Sequence, residues 1–539
     1  MIKKIYIKNF RSIKELTIEP SNLCALVGPN SAGKTNVLKA IDLVIGEGWT
    51  TKAKVARELF NDPDQEIAID IEFTEDIPHS YYSETYNVYR ATLRMNLYPN
   101  LSCETRLHVR ESDKSLYVNE EFKKNCHFIY FPSSRELSAQ MRISNWTLLG
   151  KLMKIVYDNY VNYYTSEEDL KEVFKGLMLA PKDFLEADFD QSNITFHKFS
   201  STFDKYCKLN SAGIANSFSP ELNIYNLNWF YKTLQISVTE STSDKTFDCE
   251  ELGSGMQNLI LLSIFQTYAE LMGGKVIFGL EEPEIYLYPQ AQRALYKNFQ
   301  KLSEQSQILY TTHCQNFVDA ARAYEVVMLK KDSNGTSCNI RASFMTKMQA
   351  EKERFKIFTQ FNTERNELFF AKKVVLVEGD TEKMMISTLC EYHWKIDLDT
   401  LGISIIECGG KSGVLYFAGV CKLLGITEHF GLWDKDKDVE KKGLLDEMLK
   451  NGNGYEFNPN LEAFINTIDE NAELSSSSGN KIKRIHDWVI NCHPENIPSE
   501  FDALKKFIVG EEANKVLVEE NYSDSISSTE ESDGALTAI

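Results

Sequence analysis

No run of apolar residues in this 539-residue chain reaches the roughly 18 that a membrane-spanning helix needs. The opening MIKKIYIKNF alternates like a β-strand and lacks the apolar core of a secretory signal, so the expected location is cytoplasmic, with no membrane partner. The 11 cysteines include no C-x-x-C pair and no histidine at ligand spacing, which argues against a zinc site. An odd number in a cytoplasmic chain reads as reduced, mostly buried thiols. Basic charge is also short: 59 Lys and Arg against 78 Asp and Glu give −19. That balance excludes a broadly basic nucleic-acid coat and restricts nucleic-acid contact to a local groove or to metal-mediated phosphate binding. The remainder, 43% hydrophobic and 25% charged, is an ordinary soluble globular composition. The length sets a prior of about three domains with large buried cores.

The most informative stretch is Leu23 to Leu38, LCALVGPNSAGKTNVL: an apolar strand, a glycine-rich turn and a helix start. Gly28, Gly33, Lys34 and Thr35 fit G-x-x-x-x-G-K-[ST], in which glycines let main-chain N–H groups face a polyphosphate, the lysine reaches the β/γ-phosphates and the threonine holds Mg²⁺. The helix beginning near Lys34 turns its positive end to the same anion. At average residue usage the pattern arises by accident roughly 2 times in 100 in a chain of this length, and the strand before it and the helix after it lower that further.

Around this loop, Ile5 to Phe10 and Glu15 to Pro20 read as strands flanking Arg11 and Ser12. Glu66 to Phe73, Val88 to Tyr98 and Thr105 to Glu111 alternate like antiparallel strands, and HFIYF ends another at Pro132. From Leu137 to about Phe230 the pattern turns helical and polar, as an insertion into the nucleotide domain. The second half of the nucleotide site lies beyond it. KVIFGLEEPE ends an apolar strand in Glu281, placed to bind Mg²⁺ through water, and Glu282, placed to orient or deprotonate the attacking water. QILYTTHCQNF ends another at Thr311, Thr312 and His313, where a γ-phosphate sensor belongs. ELGSGMQNLILLSIF runs from a glycine turn into an apolar helix, so Ser254 and Gly255 are candidates for binding a partner subunit's γ-phosphate through main-chain N–H groups.

NFRS, GPNSAGKT, LGSGMQ, LEEPEIYLYP and TTH, in that order, resemble the ABC-type ATPase heads of the SMC, RecF and OLD (overcoming lysogenisation defect) proteins. The resemblance covers about residues 1 to 335, the insertion excepted. It implies that two heads sandwich ATP, with LGSGMQ of one facing the phosphate loop of the other. By the same resemblance Arg11, Asn30, Gly33, Lys34, Thr35 and Asn36 contact nucleotide on the near side and Ser254, Gly255 and His313 complete the site. LGSGMQ is not the LSGGQ of transporters, Glu281 replaces the usual Asp, and Tyr288 stands where many relatives have His; these departures favour the OLD branch.

After a strand VVMLKK and a hairpin around Asp332 to Gly335, residues 345 to 371 read as a charged helical linker, and a new α/β pattern begins. KKVVLVEGDTEK, ISIIECGGKSG and HFGLWDKDKD are each an apolar strand followed by a turn. In a parallel sheet their ends share one edge, which lets Glu378 approach Asp434 and Asp436 across neighbouring strands. Crowded carboxylates repel unless a divalent cation neutralises them, and a hard oxygen cluster suits Mg²⁺ or Mn²⁺. EGDTE and DKDKD together resemble the two motifs of a Toprim domain, and a head joined to a C-terminal Toprim in one chain resembles the OLD nucleases. The resemblance implies metal ligation by Glu378, Asp434 and Asp436, with Asp438 a further candidate. It assigns Glu382 as a ligand or supporting acid, Glu462 in PNLEAF as a later acid, and Lys481 or Lys483 in GNKIKR as a lysine stabilising the phosphorane or the leaving oxygen. The tail beyond Lys515 is acidic and serine-rich and reads as solvated chain.

The expected architecture is α/β: an ABC-type ATPase head with a mixed sheet (1–136 and 231–344), a helical insertion and candidate dimerisation element (137–230), a linker (345–371), a Rossmann-like Toprim domain with a parallel sheet (372–515) and a tail (516–539). The expected function is a nucleotide-regulated, metal-dependent DNA endonuclease, acting as a homodimer or higher homo-oligomer with ATP and Mg²⁺ or Mn²⁺. Family analogy adds a role in bacterial defence against phage, as in Gabija-type and retron-linked systems, with a partner protein, RNA or reverse-transcribed DNA. Two alternatives are an SMC-like ATP-driven clamp without cleavage and a strand-passing or priming Toprim enzyme. For the latter, neither a dedicated nucleophilic-tyrosine domain nor a zinc module is evident.

Overall fold

The computed structural model describes residues 1–82, 84–111, 113, 115–133, 147–163, 167–177, 179–180, 199–204, 236–239, 246–272, 275–332, 335–338, 364–435, 443–469, 472, 474 and 480–510. Most of the insertion, most of the linker, Asp436, Asp438 and the tail lie outside the described residues. The chain divides into two compact units, one of Met1–Phe131, Val276–Glu284 and Pro289–Ile539, the other of Pro132–Lys275 and Ile285–Tyr288.

Among the described residues the first unit contains three sheets. One is antiparallel, in the order β2-β1-β4-β5-β6-β7 (β1 Ile2–Phe10, β2 Ile13–Ile18, β4 Ile67–Tyr81, β5 Glu84–Asn96, β6 Ser102–Val109, β7 Ser115–Tyr117). Alternation puts Ile5 and Ile7 of β1 into the core with Ile67, Ile69 and Ile71 of β4, and an irregularity in the pairing between Ile2 and Lys4 brings Ile2 into the same core. The second sheet runs β14-β13-β3-β12-β11-β8 (β3 Leu23–Val27, β8 Phe128–Phe131, β11 Ile277–Glu281, β12 Gln307–Thr311, β13 Val326–Asp332, β14 Gly335–Cys338). Its five strands from β13 to β8 are parallel and β14 closes it antiparallel. All five residues of β3, β11 and β12 are buried, as expected of strands covered on both faces. The strand ends of β3, β12 and β11 therefore stand side by side at one edge.

The third sheet is wholly parallel, in the order β16-β15-β17-β18 (β15 Lys373–Val377, β16 Ile403–Glu407, β17 His429–Asp434, β18 Gly454–Phe457). Val375, Val377, Phe430, Leu432 and Phe457 from it pack with Met385, Ile386, Phe464, Ile485, Trp488 and Val489 from the surrounding helices. Two glycines make room for one ring: a Cβ at Gly431 or Gly454 would come within 2.9 or 2.8 Å of Trp433, which is fully buried. In the second unit, β9 (Ser237–Thr239) pairs with β10 (Thr246–Asp248), and helices span Leu148–Tyr163, Glu167–Leu177 and Ser254–Leu271.

Residues 365–369 form a short 3-10 turn rather than the continuous helix expected of the linker's end. Its Asn366 is 2% exposed because its carboxamide donates to the carbonyls of Gln315 (2.9 Å) and Val318 (2.7 Å). Among the described residues no helix is long and apolar enough to cross a membrane.

Candidate functional sites

The phosphate loop is a turn that only glycine can build at two points. Gly28 adopts φ 145 and a Cβ there would sit 2.2 Å from the Leu329 carbonyl oxygen of β13; Gly33 adopts φ 101 against Thr336. The helix Lys34–Ile45 follows at once. Lys34 is buried, and its ammonium donates to the carbonyls of Gly28 (2.9 Å) and Pro29 (3.0 Å). Burial pulls its pKa below the usual lysine value, and Glu282 opposes that shift. Asn36 donates to Ser12 Oγ (2.9 Å) and accepts from Arg11 (3.5 Å), so the NFRS turn is braced against the loop helix. Asn30 is exposed and Thr35 half-buried.

On neighbouring strands, Glu281 is 4% exposed and receives the Tyr130 hydroxyl of β8 at 2.5 Å. Glu282 has left the strand with φ 43, its N–H donating to the Thr311 carbonyl at 3.0 Å. His313 follows β12; partial burial and then the Lys34 charge hold its imidazole below the ordinary value, which favours the neutral ring. Between them lies a carboxylate that sequence reasoning did not single out. Glu284 is buried, accepts from the Thr312 hydroxyl (2.5 Å) and the His313 N–H (3.1 Å), and has a second oxygen with no hydrogen-bond partner among the described residues. Burial pushes its pKa up to about 7. The structure thus brings Lys34, Glu281, Glu282 and His313 to one edge. Gly28 and Gly33 form a cradle that a Cβ would fill, and the unit fits a polyphosphate with a divalent cation.

In the second unit, Ser254 opens its helix and is exposed; Gly255 lies where a Cβ would meet the Tyr286 carbonyl at 2.7 Å. Asn258 ties the helix to the Ile285 carbonyl at 3.0 Å. Met256, Tyr286 and Tyr288 are exposed.

At the third sheet, β15 and β17 are neighbours, so Glu378 and Asp434 meet as the parallel-edge argument requires. The Asp434 N–H donates to Glu378 Oε2 at 2.9 Å, and Asp434 Oδ1 accepts from the Leu461 N–H at 3.0 Å. Leu461 begins the helix Leu461–Ile468, which carries Glu462. Glu462 is 2% exposed and pairs with Lys481, although neither of its oxygens receives an aligned hydrogen bond among the described residues. Glu382 is buried and accepts from the Gly379 N–H at 2.9 Å; burial and then Glu378 raise its pKa, while the Gly379 N–H and Lys481 oppose. Lys483 is exposed and Lys481 half-buried. Helical spacing distinguishes them: Lys481 shares a face with the buried Ile485, Trp488 and Val489 of helix Lys481–Asn491, and Lys483 does not.

Sequence reasoning also passed over Lys411, Glu456 and Arg365. Lys411, 4% exposed, donates to the Asp434 carbonyl (3.0 Å) and to Glu456 (2.9 Å). Burial works against ionisation of Glu456, but hydrogen bonds from Lys411 and Trp433 hold it below the usual range. Arg365 donates to the main-chain carbonyl (2.9 Å) and the carboxylate (3.2 Å) of Glu407 at the end of β16. Near the start of β16, a cavity of about 230 Å³ is lined by His313, Gln315, Glu367, Phe370, Asp399 and Ser404. Among the described residues no group of three or more His, Cys, Asp or Glu side chains is arranged to hold a metal ion. Glu378 and Asp434, carboxylates at the ends of neighbouring parallel strands, are nevertheless hard oxygen donors of the kind a divalent cation takes.

Comparison with known proteins matches the two edges to two different families. The family described as an AAA ATPase domain matches residues 1–125 and 108–318, and the one described as an overcoming lysogenization defect protein-like TOPRIM domain matches residues 369–436. An OLD nuclease of Thermus scotoductus is 28% identical over 482 residues, covering 86% of this chain and 88% of the relative. The Old nuclease of Escherichia phage P2 is 23% identical over 540 residues, covering 89% and 87%. Endonuclease GajA of Bacillus cereus is 23% identical over 456 residues, covering 81% and 75%. The two matched domains imply use of a nucleotide and a divalent metal. The chain belongs to the AAA ATPase domain family, carries a C-terminal OLD-like TOPRIM domain, and is homologous to the OLD nucleases and to GajA.

Proposed function

We propose that this chain is a nucleotide-regulated, divalent-metal-dependent DNA endonuclease that acts in bacterial defence against phage. The observation that carries the reading is the hydrogen bond from the Asp434 N–H to Glu378 at a parallel-sheet edge, with Leu461, the neighbour of the Lys481-paired Glu462, donating to Asp434. Its relatives are named as nucleases. Residues 372–515 form the nuclease domain; 1–136 and 231–344 form the head.

At the TOPRIM edge, Glu378, Asp434 and Asp436 hold Mg²⁺ or Mn²⁺, with Asp438 close in sequence. The metal, when bound, supplies Lewis-acid activation of water and neutralises the scissile phosphate. Glu382 fixes the turn after Glu378 through the Gly379 N–H, and Glu462 holds Lys481 at the edge. Lys481 donates to the oxygen on which charge develops as the P–O bond breaks. At the head, main-chain N–H groups of Asn30 to Lys34 cradle the ATP phosphates, Thr35 and Glu281 hold Mg²⁺, and Arg11 and Asn36 border the nucleotide. Glu282 takes the proton of the attacking water and His313 donates to the γ-phosphate. Ser254 and Gly255 of a second copy close the site, so ATP engagement requires a homodimer. Nucleotide binding shifts cutting only through an equilibrium between states that bind it differently.

The test is cleavage of supercoiled plasmid and of single-stranded DNA with Mg²⁺ or Mn²⁺, with and without ATP, by wild type, Glu378→Ala and Lys34→Ala. Cutting that disappears in Glu378→Ala is expected, and Lys34→Ala reports the sign of the nucleotide effect. Wild type that cuts no DNA form with either metal, or only as Glu378→Ala does, sinks the nuclease reading in favour of an ATP-driven clamp.

A further inference from the structure

The turn Cys408–Ser412, CGGKS, holds the main chain of both strands that carry the acids. Cys408 N–H donates to the Val377 carbonyl (2.9 Å) and Gly410 N–H to the Glu378 carbonyl (2.8 Å). β15 stands between β16 and β17, yet Lys411 reaches past it, and its ammonium donates to the Asp434 carbonyl at 3.0 Å. The far side of that ammonium is anchored on Glu456 at 2.9 Å, which also takes the Trp433 indole N–H at 3.0 Å. Trp433 is in turn wedged against Gly431 and Gly454. Local preference does not explain this lysine: a cation in the first turn of the helix Lys411–Leu424 opposes the helix dipole. Nor does exposure, since 4% leaves the charge dependent on its partners.

We propose that Lys411 is a positioning residue for the acidic edge. It sets the Asp434 main chain relative to Glu378, so that both carboxylates meet one divalent cation, and the Glu456–Trp433 pair holds it there. The inference rests on the metal-dependent reading above. Two effects of removing Lys411 oppose each other: a loosened Asp434 releases a cation, whereas the uncovered Glu456 attracts one. The charge-balanced double variant Lys411→Met/Glu456→Gln separates them, because only positioning is lost.

The experiment counts Mn²⁺ bound to the full-length protein by electron paramagnetic resonance, with ATP binding and melting temperature measured alongside. The double variant is expected to bind Mn²⁺ about 10-fold more weakly than wild type, the usual scale for partners of metal ligands, with ATP binding unchanged. Glu456→Gln alone loses at least as much, since it leaves an uncompensated ammonium. Wild-type Mn²⁺ affinity in the folded double variant overturns the inference. Should the double variant not fold, Lys411→Arg decides, because it keeps the charge and alters the geometry: weaker Mn²⁺ binding supports positioning, and unchanged binding overturns it. Wild type and Glu378→Gln binding Mn²⁺ alike would instead remove the metal reading itself, a failure distinct from loss at Glu378 with none at Lys411.

Discussion

At the head edge a buried lysine is parked on two loop carbonyls, and two acids nearby each take a hydroxyl, Glu281 that of Tyr130 and Glu284 that of Thr312, with the His313 N–H as a second donor to Glu284. At the TOPRIM edge the acids are held by main-chain N–H groups, and two lysines, 411 and 481, are paired with carboxylates. Both edges are the carboxyl ends of parallel strands, so the fold alone does not set the difference. The ligand does. A polyphosphate arrives as an anion, and the head keeps its cation screened until then. A divalent ion arrives as a cation, and the nuclease edge keeps its anions fixed by groups that do not have to leave. The two edges should therefore fail in different ways.

The largest expected effect is at the head. Glu282→Gln should slow ATP hydrolysis by about 10²–10⁴-fold while ATP binding persists, because only the proton acceptor is lost; a steady-state phosphate-release assay with a nucleotide-binding control measures both. Next, Lys481→Ala should reduce DNA cleavage by ~10²-fold, whereas Lys483→Ala stays within about twofold of wild type. Equal losses would erase the distinction drawn from helix facing. Third comes a pH effect at the head. Burial pushes Glu284 up to about 7, against 4.5 for an ordinary glutamate. The folded state therefore holds an extra proton between those values, and stability falls as pH rises through that window. Glu284→Gln removes the penalty, so its stability gain over wild type should grow from about pH 5 to about pH 8, by up to about 3 kcal/mol. Denaturant melts at both pH values would show it, and a pH-independent difference would contradict it. The smallest effect is at the joint between the sheets: Asn366→Ala leaves the Gln315 and Val318 carbonyls without their donor and should cost about 2 kcal/mol.

The parts of both edges that lie within one strand-turn-helix unit were legible in the sequence. The phosphate loop, Glu281 with Glu282, His313, Glu378 and Asp434 each sit at a strand end recognisable from a short apolar run, and the parallel arrangement then placed Glu378 beside Asp434. What was not legible depends on strand order and on partners far along the chain. Tyr130 reaches Glu281 only because β8 lies next to β11 across the whole insertion. Glu284 read as part of the segment after the acids, since nothing local reveals that Thr312 and His313 close over it. Lys411 looks like any solvent-facing lysine at a helix start until β17 and β18 are in place. Lys481 was separable from Lys483 by the spacing to Ile485 and Trp488, a signal present in the sequence but obscured by the uncertain alignment through the serine run.

The most direct measurement is ATP hydrolysis and DNA cleavage on the same preparations of wild type, Lys34→Ala and Glu378→Ala, with Mn²⁺ binding counted in each. Two separate edges predict that Glu378→Ala loses cleavage and keeps hydrolysis, while Lys34→Ala loses hydrolysis and keeps the Glu378-dependent Mn²⁺ site. Folded Glu378→Ala that loses both activities together, or that cuts as wild type does, would contradict the account.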